Sequence, residues 1–134
     1  MLIDVVLNRN ILTTNHKHIA FCTNLEGWGQ GYHISDQIQS KYWPDLFREG
    51  RRTGDAISYT AENYTFHAMF THSHSFANHN LNLATDIKNG LDSLLVAKGR
   101  IIAMQMYMDS GDGNVWKILR AVVRSKHKIV LYIN

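Results

Sequence analysis

The sequence predicts a three-layer α/β/α sandwich built on a mixed, mainly parallel sheet of six strands. Three observations carry this. Short apolar runs of strand length alternate with segments whose apolar residues recur at helical spacing. Two of those runs empty into glycine-bearing loops that lead directly into a helix pattern. The chain has 134 residues, of which 45% are apolar and 19% charged, enough for one domain (residues 1–134) with a real core.

The elements follow in order. Residues 2–7 and 18–22 read as strands, and residues 32–40 as a helix. Residues 44–51 read as a second short helix, with Pro44 suited to a first turn. Gly54 breaks the chain before strands at 56–60 and 64–71, which the turn Ala61-Glu62-Asn63 joins into a hairpin. Leu81, Leu83, Ala84, Ile87, Leu91, Leu94 and Leu95 fall near helical spacing, with Gly99 as the stop. Residues 101–107 read as a buried strand. Val115, Ile118, Leu119, Val122 and Val123 form the apolar stripe of a last helix, and residues 128–133 close the sheet.

Composition narrows the function. The formal charge of +3 mildly favours anionic ligands, but no run is basic enough for a nucleic-acid surface. Arg48, Arg51 and Arg52 read as a solvated helix end or loop. The apolar runs fall far short of a membrane span, and the amino terminus opens directly on a strand pattern without a leader-like segment. A lone cysteine, Cys22, excludes an internal disulfide, suits a reducing compartment and reads as a buried small apolar residue. A soluble, cytoplasmic monomer is expected.

The chemistry points to two loops. One holds Asn24, Trp28, Gly29, Gln30 and Gly31; the other holds Asp109, Ser110, Gly111, Asp112 and Gly113. In open sheets of this kind ligands bind beyond the carboxyl ends of the strands. Glycines there let backbone N–H groups approach a ligand, and the following helix start adds partial positive charge. Two such loops facing each other could clamp a diphosphate. Taken singly, each is equally an ordinary turn with a helix cap.

Together these features resemble the macrodomain family, whose members bind ADP-ribose. Asn24 with Trp28-Gly29-Gln30-Gly31 is similar to the family's first ribose loop, and the Trp before the glycine resembles the ADP-ribose 1″-phosphate phosphatase branch. Thr53-Gly54-Asp55 and Met69-Phe70-Thr71 resemble its middle portion. Ser110-Gly111 before Trp116 resembles its phosphate loop, and Lys128-Ile129-Val130-Leu131-Tyr132 its closing strand. The resemblance covers nearly the whole chain. It implies ADP-ribose or an ADP-ribosylated substrate as partner, nucleic acid only as such a substrate, and no cofactor or metal. A small domain of this kind would suit a bacterial or phage protein, in the host cytoplasm if phage-encoded.

The departures are informative. Where the family has an adenine-reading aspartate, this chain has Asn10, whose amide oxygen still accepts a hydrogen bond but carries no charge. Where the glycohydrolase branch has a lysine after the strand end at Thr71, this chain has His72. Asp112 matches a catalytic aspartate of that branch. The resemblance therefore implies a hydrolase acting at the distal ribose, with Asp112 and His72 as catalytic residues. Asn10, Asn24, Trp28, Gly29, Gln30, Gly31, Thr71, Asp109, Ser110, Gly111 and Gly113 would bind the ligand. A non-catalytic ADP-ribose-binding module is the competing reading.

The eight histidines leave alternatives open. His72 and His74, with His67 or His79, could form a metal site, since imidazole is a common ligand. No cysteine pair or carboxylate third ligand supports zinc spacing. His16, His18 and His127 flank strands and read as solvated. Trp43, beside Pro44, reads as a core residue.

Overall fold

The structure is a computed structural model, and it describes residues 1–26, 34–72, 82–106 and 114–133. The strands are β1 (Leu2–Leu7), β2 (His18–Asn24), β3 (Ala56–Ala61), β4 (Tyr64–His72), β5 (Ile101–Met106) and β6 (Lys128–Ile133). The helices are α1 (Ile34–Lys41), α2 (Leu83–Ser93) and α3 (Asn114–Arg124), with a 3-10 turn at Ile11–Thr13.

The sheet order is β1-β6-β5-β2-β4-β3. All neighbouring pairs are parallel except β3 with β4, which form the expected hairpin around Glu62, a non-glycine residue at φ 55. The carboxyl ends of β1, β6, β5, β2 and β4 therefore share one edge. Central β4 is buried almost throughout, as a strand covered on both faces must be.

Alternation along each strand divides the core in two. One face sends Ala20, Met69, Ile102, Met104, Ile129 and Leu131 against α2 and α3. The other sends Ile19, Phe21, Phe66, Phe70, Val130 and Tyr132 against α1, the 3-10 turn and Trp43. Gly90 of α2 lies so close to Met69 that an added Cβ would come within 3.2 Å of its Cγ. That contact lets the helix sit directly on the sheet. Among the described residues, no helix is long and apolar enough to cross a membrane.

Several expectations need correction. Residues 44–51 form no helix. Trp43 and Leu46 are both drawn into the core, Leu46 N donates to Trp43 O, and Gly50 at φ 77 ends the segment. Leu95 does not belong to α2, which ends at Ser93. The chain turns extended at Leu94, burying that side chain and leaving Leu95 99% exposed. Val123 is exposed as well, because the buried stripe of α3 is narrower than the sequence suggests: Ile118, Ala121 and Val122 fill it.

Candidate functional site

The carboxyl edge collects the described residues singled out above. β2 ends at Asn24 and β4 at His72, and these two are register partners across the parallel pair. The register shifts after Thr23, so both strand-end residues face the same opening. Leu25 N donates to His72 O at 3.0 Å, and Glu26 N donates to Asn24 Oδ1 at 3.0 Å, which turns the chain off the sheet. Trp28, Gly29, Gln30, Gly31, Asp109, Ser110, Gly111, Asp112 and Gly113 lie outside the described residues, as do His74 and His79. What is described is the set of strand ends and helix starts that flank them.

Thr71 is completely buried. Its Oγ1 lies 2.8 Å from His72 Nδ1. Thr71 therefore supports His72 from beneath. Burial pushes the Cys22 thiol up to about 11, although part of the residue remains accessible. The thiol is therefore protonated at neutral pH.

Asn10 follows β1 on the same edge. Its Oδ1 accepts from Leu12 N at 2.9 Å, capping the 3-10 turn, and its carbonyl accepts from Thr13 N and Oγ1. The side chain is exposed, so a second lone pair and the amide donors face outward.

Two residues of this edge carried no sequence signal. Arg48 reads as a solvated cation, yet it is half-buried behind β2. Its Nε donates to Asn24 O at 2.9 Å and its Nη2 to Thr23 Oγ1 at 3.1 Å. Ser35 of α1 donates to the same Thr23 Oγ1 at 2.8 Å, and Gln39 Nε2 holds Ser35. Burial lowers the Arg48 pKa from its usual value, and Asp36 opposes the shift. Thr23 Oγ1, reached by both Arg48 and Ser35, thus ties the end of β2 to the first turn of α1, on the two sides of the segment at 27–33. Asp86 of α2 is buried against Gly54, whose φ of +98 only glycine adopts freely; an added Cβ would meet Asp86 Oδ1 at 3.2 Å.

The other histidines form a second group at the amino end of the same strands. His67 Nδ1 lies 2.5 Å from Ser58 Oγ on β3, and His67 Nε2 lies 2.9 Å from His18 Nδ1 on β2. His67 is 2% exposed, and burial, with the charges of His18 and His127 adding, pushes its pKa down to about 4. Burial lowers His18 too, helped by Arg100 and Lys17. His18 and His127 are therefore not solvated as their strand-flanking positions imply: His18 is half-buried, His127 is buried, and among the described residues the His127 Nε2 has no hydrogen-bond partner. Nor does His67 turn toward His72, since it lies on the opposite face of β4. Among the described residues, no group of three His, Cys, Asp or Glu side chains is arranged to hold a metal ion.

No family model matches the chain, and no curated protein matches its sequence. Solved structures do match. The macrodomain of Thermus aquaticus DarG aligns over 100% of this chain and 98% of its own, with a TM-score of 0.66 at 18% identity. The alphavirus P23pro-zbd structure aligns over 96% of this chain and 21% of its own, with a TM-score of 0.61 at 15% identity. With its strand order, its single antiparallel pair and its two helical layers, this chain has the macrodomain fold.

Proposed function

We propose that the chain binds ADP-ribose or a derivative at the carboxyl edge and hydrolyses the bond at the anomeric carbon of the distal ribose. One observation carries the reading. In a macrodomain fold, the strand ends at Asn24 and His72 stand side by side, and the two glycine-bearing segments follow β2 and its other neighbour, β5. The diphosphate would rest on backbone N–H groups of residues 29–31 and 110–113, where helix starts favour anions. Asn24 and Trp28 would meet the distal ribose, and Asn10 the adenine. Asp112 would take a proton from water as it adds to the anomeric carbon. His72 would give a proton to the departing oxygen.

Calorimetric titration tests the binding. ADP-ribose is expected at micromolar strength, about 8 kcal/mol, and AMP much more weakly. A bulky residue at Gly29 or Gly111 should abolish binding while the fold survives; unchanged affinity in both variants removes the two-loop site. Turnover is tested on ADP-ribose 1″-phosphate and on ADP-ribosylated protein or DNA. Asp112→Ala should lose at least ~100-fold in rate with affinity retained or raised, as a negative charge leaves the phosphate site.

A second reading is a binding module without turnover. The observation favouring it is His72 in place of the lysine of the glycohydrolase branch, because an imidazole does not readily form the amine adduct with the sugar. Binding of ADP-ribose with no turnover on any 1″-linked substrate would establish it.

A further inference from the structure

α3 carries a second apolar stripe besides the one that packs on the sheet. Ile118, Ala121 and Val122 fill the inner stripe. Trp116, Leu119 and Val123 form the outer one, at the i, i+3, i+7 spacing of a seam between helices. Trp116 is 72% exposed and Val123 59%. Leu119 lies between them, partly buried against the core. With Arg120 and Arg124 these three residues line an open groove of about 300 Å³.

The charge on this face has one sign. Arg120 and Arg124 are exposed and one helical turn apart, so they follow one flank of the groove. From Asn114 to Arg124 the helix contains no acidic residue. Among the described residues neither arginine forms an ion pair. An exposed tryptophan beside two unpaired arginines brings together the side chains that most often dominate binding energy at protein interfaces.

We propose that the outer face of α3 is a docking site for an acidic amphipathic helix of a partner protein. The spacing of Trp116, Leu119 and Val123 matches what a second helix presents, so apolar side chains of the partner enter the groove between them. Aspartate or glutamate on the partner's flank meets Arg120 and Arg124, whose planar guanidinium groups suit carboxylates. Two other occupants fit less well. A second copy of this chain brings the same helix without an acid, and leaves the arginines of both copies unpaired. A nucleic-acid strand uses the arginines and stacks a base on Trp116, but leaves the aliphatic Leu119 and Val123 uncovered. The groove does not depend on the ADP-ribose reading, since Val123 and Arg124 stand at the opposite end of α3 from residues 109–113.

Fluorescence anisotropy with the full chain tests this. The probe is a labelled synthetic helix about three heptads long, with leucine at the seam positions and glutamate on the flanks. One control peptide has lysine for glutamate, and another has alanine for leucine. The acidic leucine peptide should bind at least about tenfold more tightly than either control, and more weakly as salt is raised. Trp116→Ala and Val123→Glu should each weaken it by about tenfold or more. Arg120→Glu with Arg124→Glu should reverse the preference, so that the lysine peptide binds instead. These positions are exposed, so the folded state should survive, as a thermal melt checks; if Trp116→Ala does not fold, Val123→Glu and the charge reversal decide. Failure of the wild type to bind the acidic peptide overturns the inference, as does equal binding of the glutamate and lysine peptides. An oligothymidylate strand that displaces the peptide assigns the face to nucleic acid. A dimer in sedimentation that Trp116→Ala dissociates assigns it to a second copy. Either result also overturns the inference. ADP-ribose affinity should be the same in Val123→Glu as in wild type; a change would make the groove part of the ligand site and remove it as a separate docking surface.

Discussion

β4 carries a histidine bonded through Nδ1 to a hydroxyl toward each of its ends, and the two differ in almost every other respect. At the amino end His67 meets Ser58 and His18, is sealed from solvent, and has Lys17, Arg100 and Lys126 among the charges acting on its cluster. At the carboxyl end His72 meets Thr71, keeps part of its surface, and stands at the sheet edge next to Asn24. The hydroxyl contact is the same; the surroundings decide the use. Burial among cations and other imidazoles makes protonation of His67 costly, so it serves as a neutral cross-strand link. His72, by contrast, stands partly exposed at the sheet edge, within the candidate site.

Acid should expose this difference most strongly. The folded pKa of His67 lies at about 4, below the 6.5 of an ordinary histidine. The unfolded chain therefore binds a proton that the folded chain refuses. The stabilisation is complete above pH 6.5 and is lost as pH falls through about 4, amounting to roughly 3 kcal/mol in all. His18 and His127, also lowered, act in the same direction. Urea unfolding at a series of pH values should show this slope, His67→Gln should flatten it, and His72→Gln should leave it in place. A slope that survives His67→Gln would move its origin to His18 and His127.

Backbone strain gives a second contrast between the ends. Gly54 stands at the carboxyl edge with φ +98 and Asp86 against it, whereas Gly99 precedes β5 at the amino end with φ +88 and nothing within 4 Å. Alanine is strained at both. Gly99→Ala should cost about 1 kcal/mol, and Gly54→Ala about 2, because Asp86 must also yield. Thermal unfolding measures both. Weakened ADP-ribose binding in Gly54→Ala alone would tie Asp86 and Gly54 to the site; equal losses would reduce both to turns.

The sheet was legible because its strands are local signals, such as Ile19-Ala20-Phe21 and Ile129-Val130-Leu131, and periodicity reports them without knowing the partners. The segment at 44–51 was misread because Pro44 and the charged run around Arg48 suggest a helix start, while Trp43 and Leu46 are fixed by contacts made far away in sequence. His67 and His18 lie 49 residues apart, and only the register of β2 on β4 brings them together. Arg48 was invisible for the same reason: its acceptors, Asn24 O and Thr23 Oγ1, are more than 20 residues upstream. Asn24, Thr71 and His72 fall at the carboxyl ends of β2 and β4, where the loop chemistry and the family resemblance place a ligand.

Ser58→Ala isolates the amino-end link. Ser58 is exposed, so removing its hydroxyl makes no cavity, but it takes that partner from the buried His67 Nδ1, a loss of about 1–3 kcal/mol. ADP-ribose affinity should stay at the wild-type value, since the change lies at the far end of β4. A drop in affinity at unchanged stability would show that the two ends communicate and that the division drawn between them is wrong.

Asn10 sets the finest test, because one side chain serves both structure and the proposed ligand. Its Oδ1 already accepts from Leu12 N, so Asn10→Ala removes a cap worth about 1 kcal/mol whether or not adenine is bound. Stability loss alone therefore says nothing about recognition. Asn10→Asp keeps the capping oxygen and adds charge beside any amino donor. If Asn10 reads the adenine ring, Asn10→Asp should keep wild-type stability and bind the adenine nucleotide several-fold tighter than its hypoxanthine counterpart. Asn10→Ala should lose about 1 kcal/mol of affinity beyond any loss of fold. Calorimetry with both nucleotides on the three proteins resolves this. Equal binding of the two bases in every variant would leave Asn10 as a helix cap, and would place whatever recognition of the adenine exists on other residues.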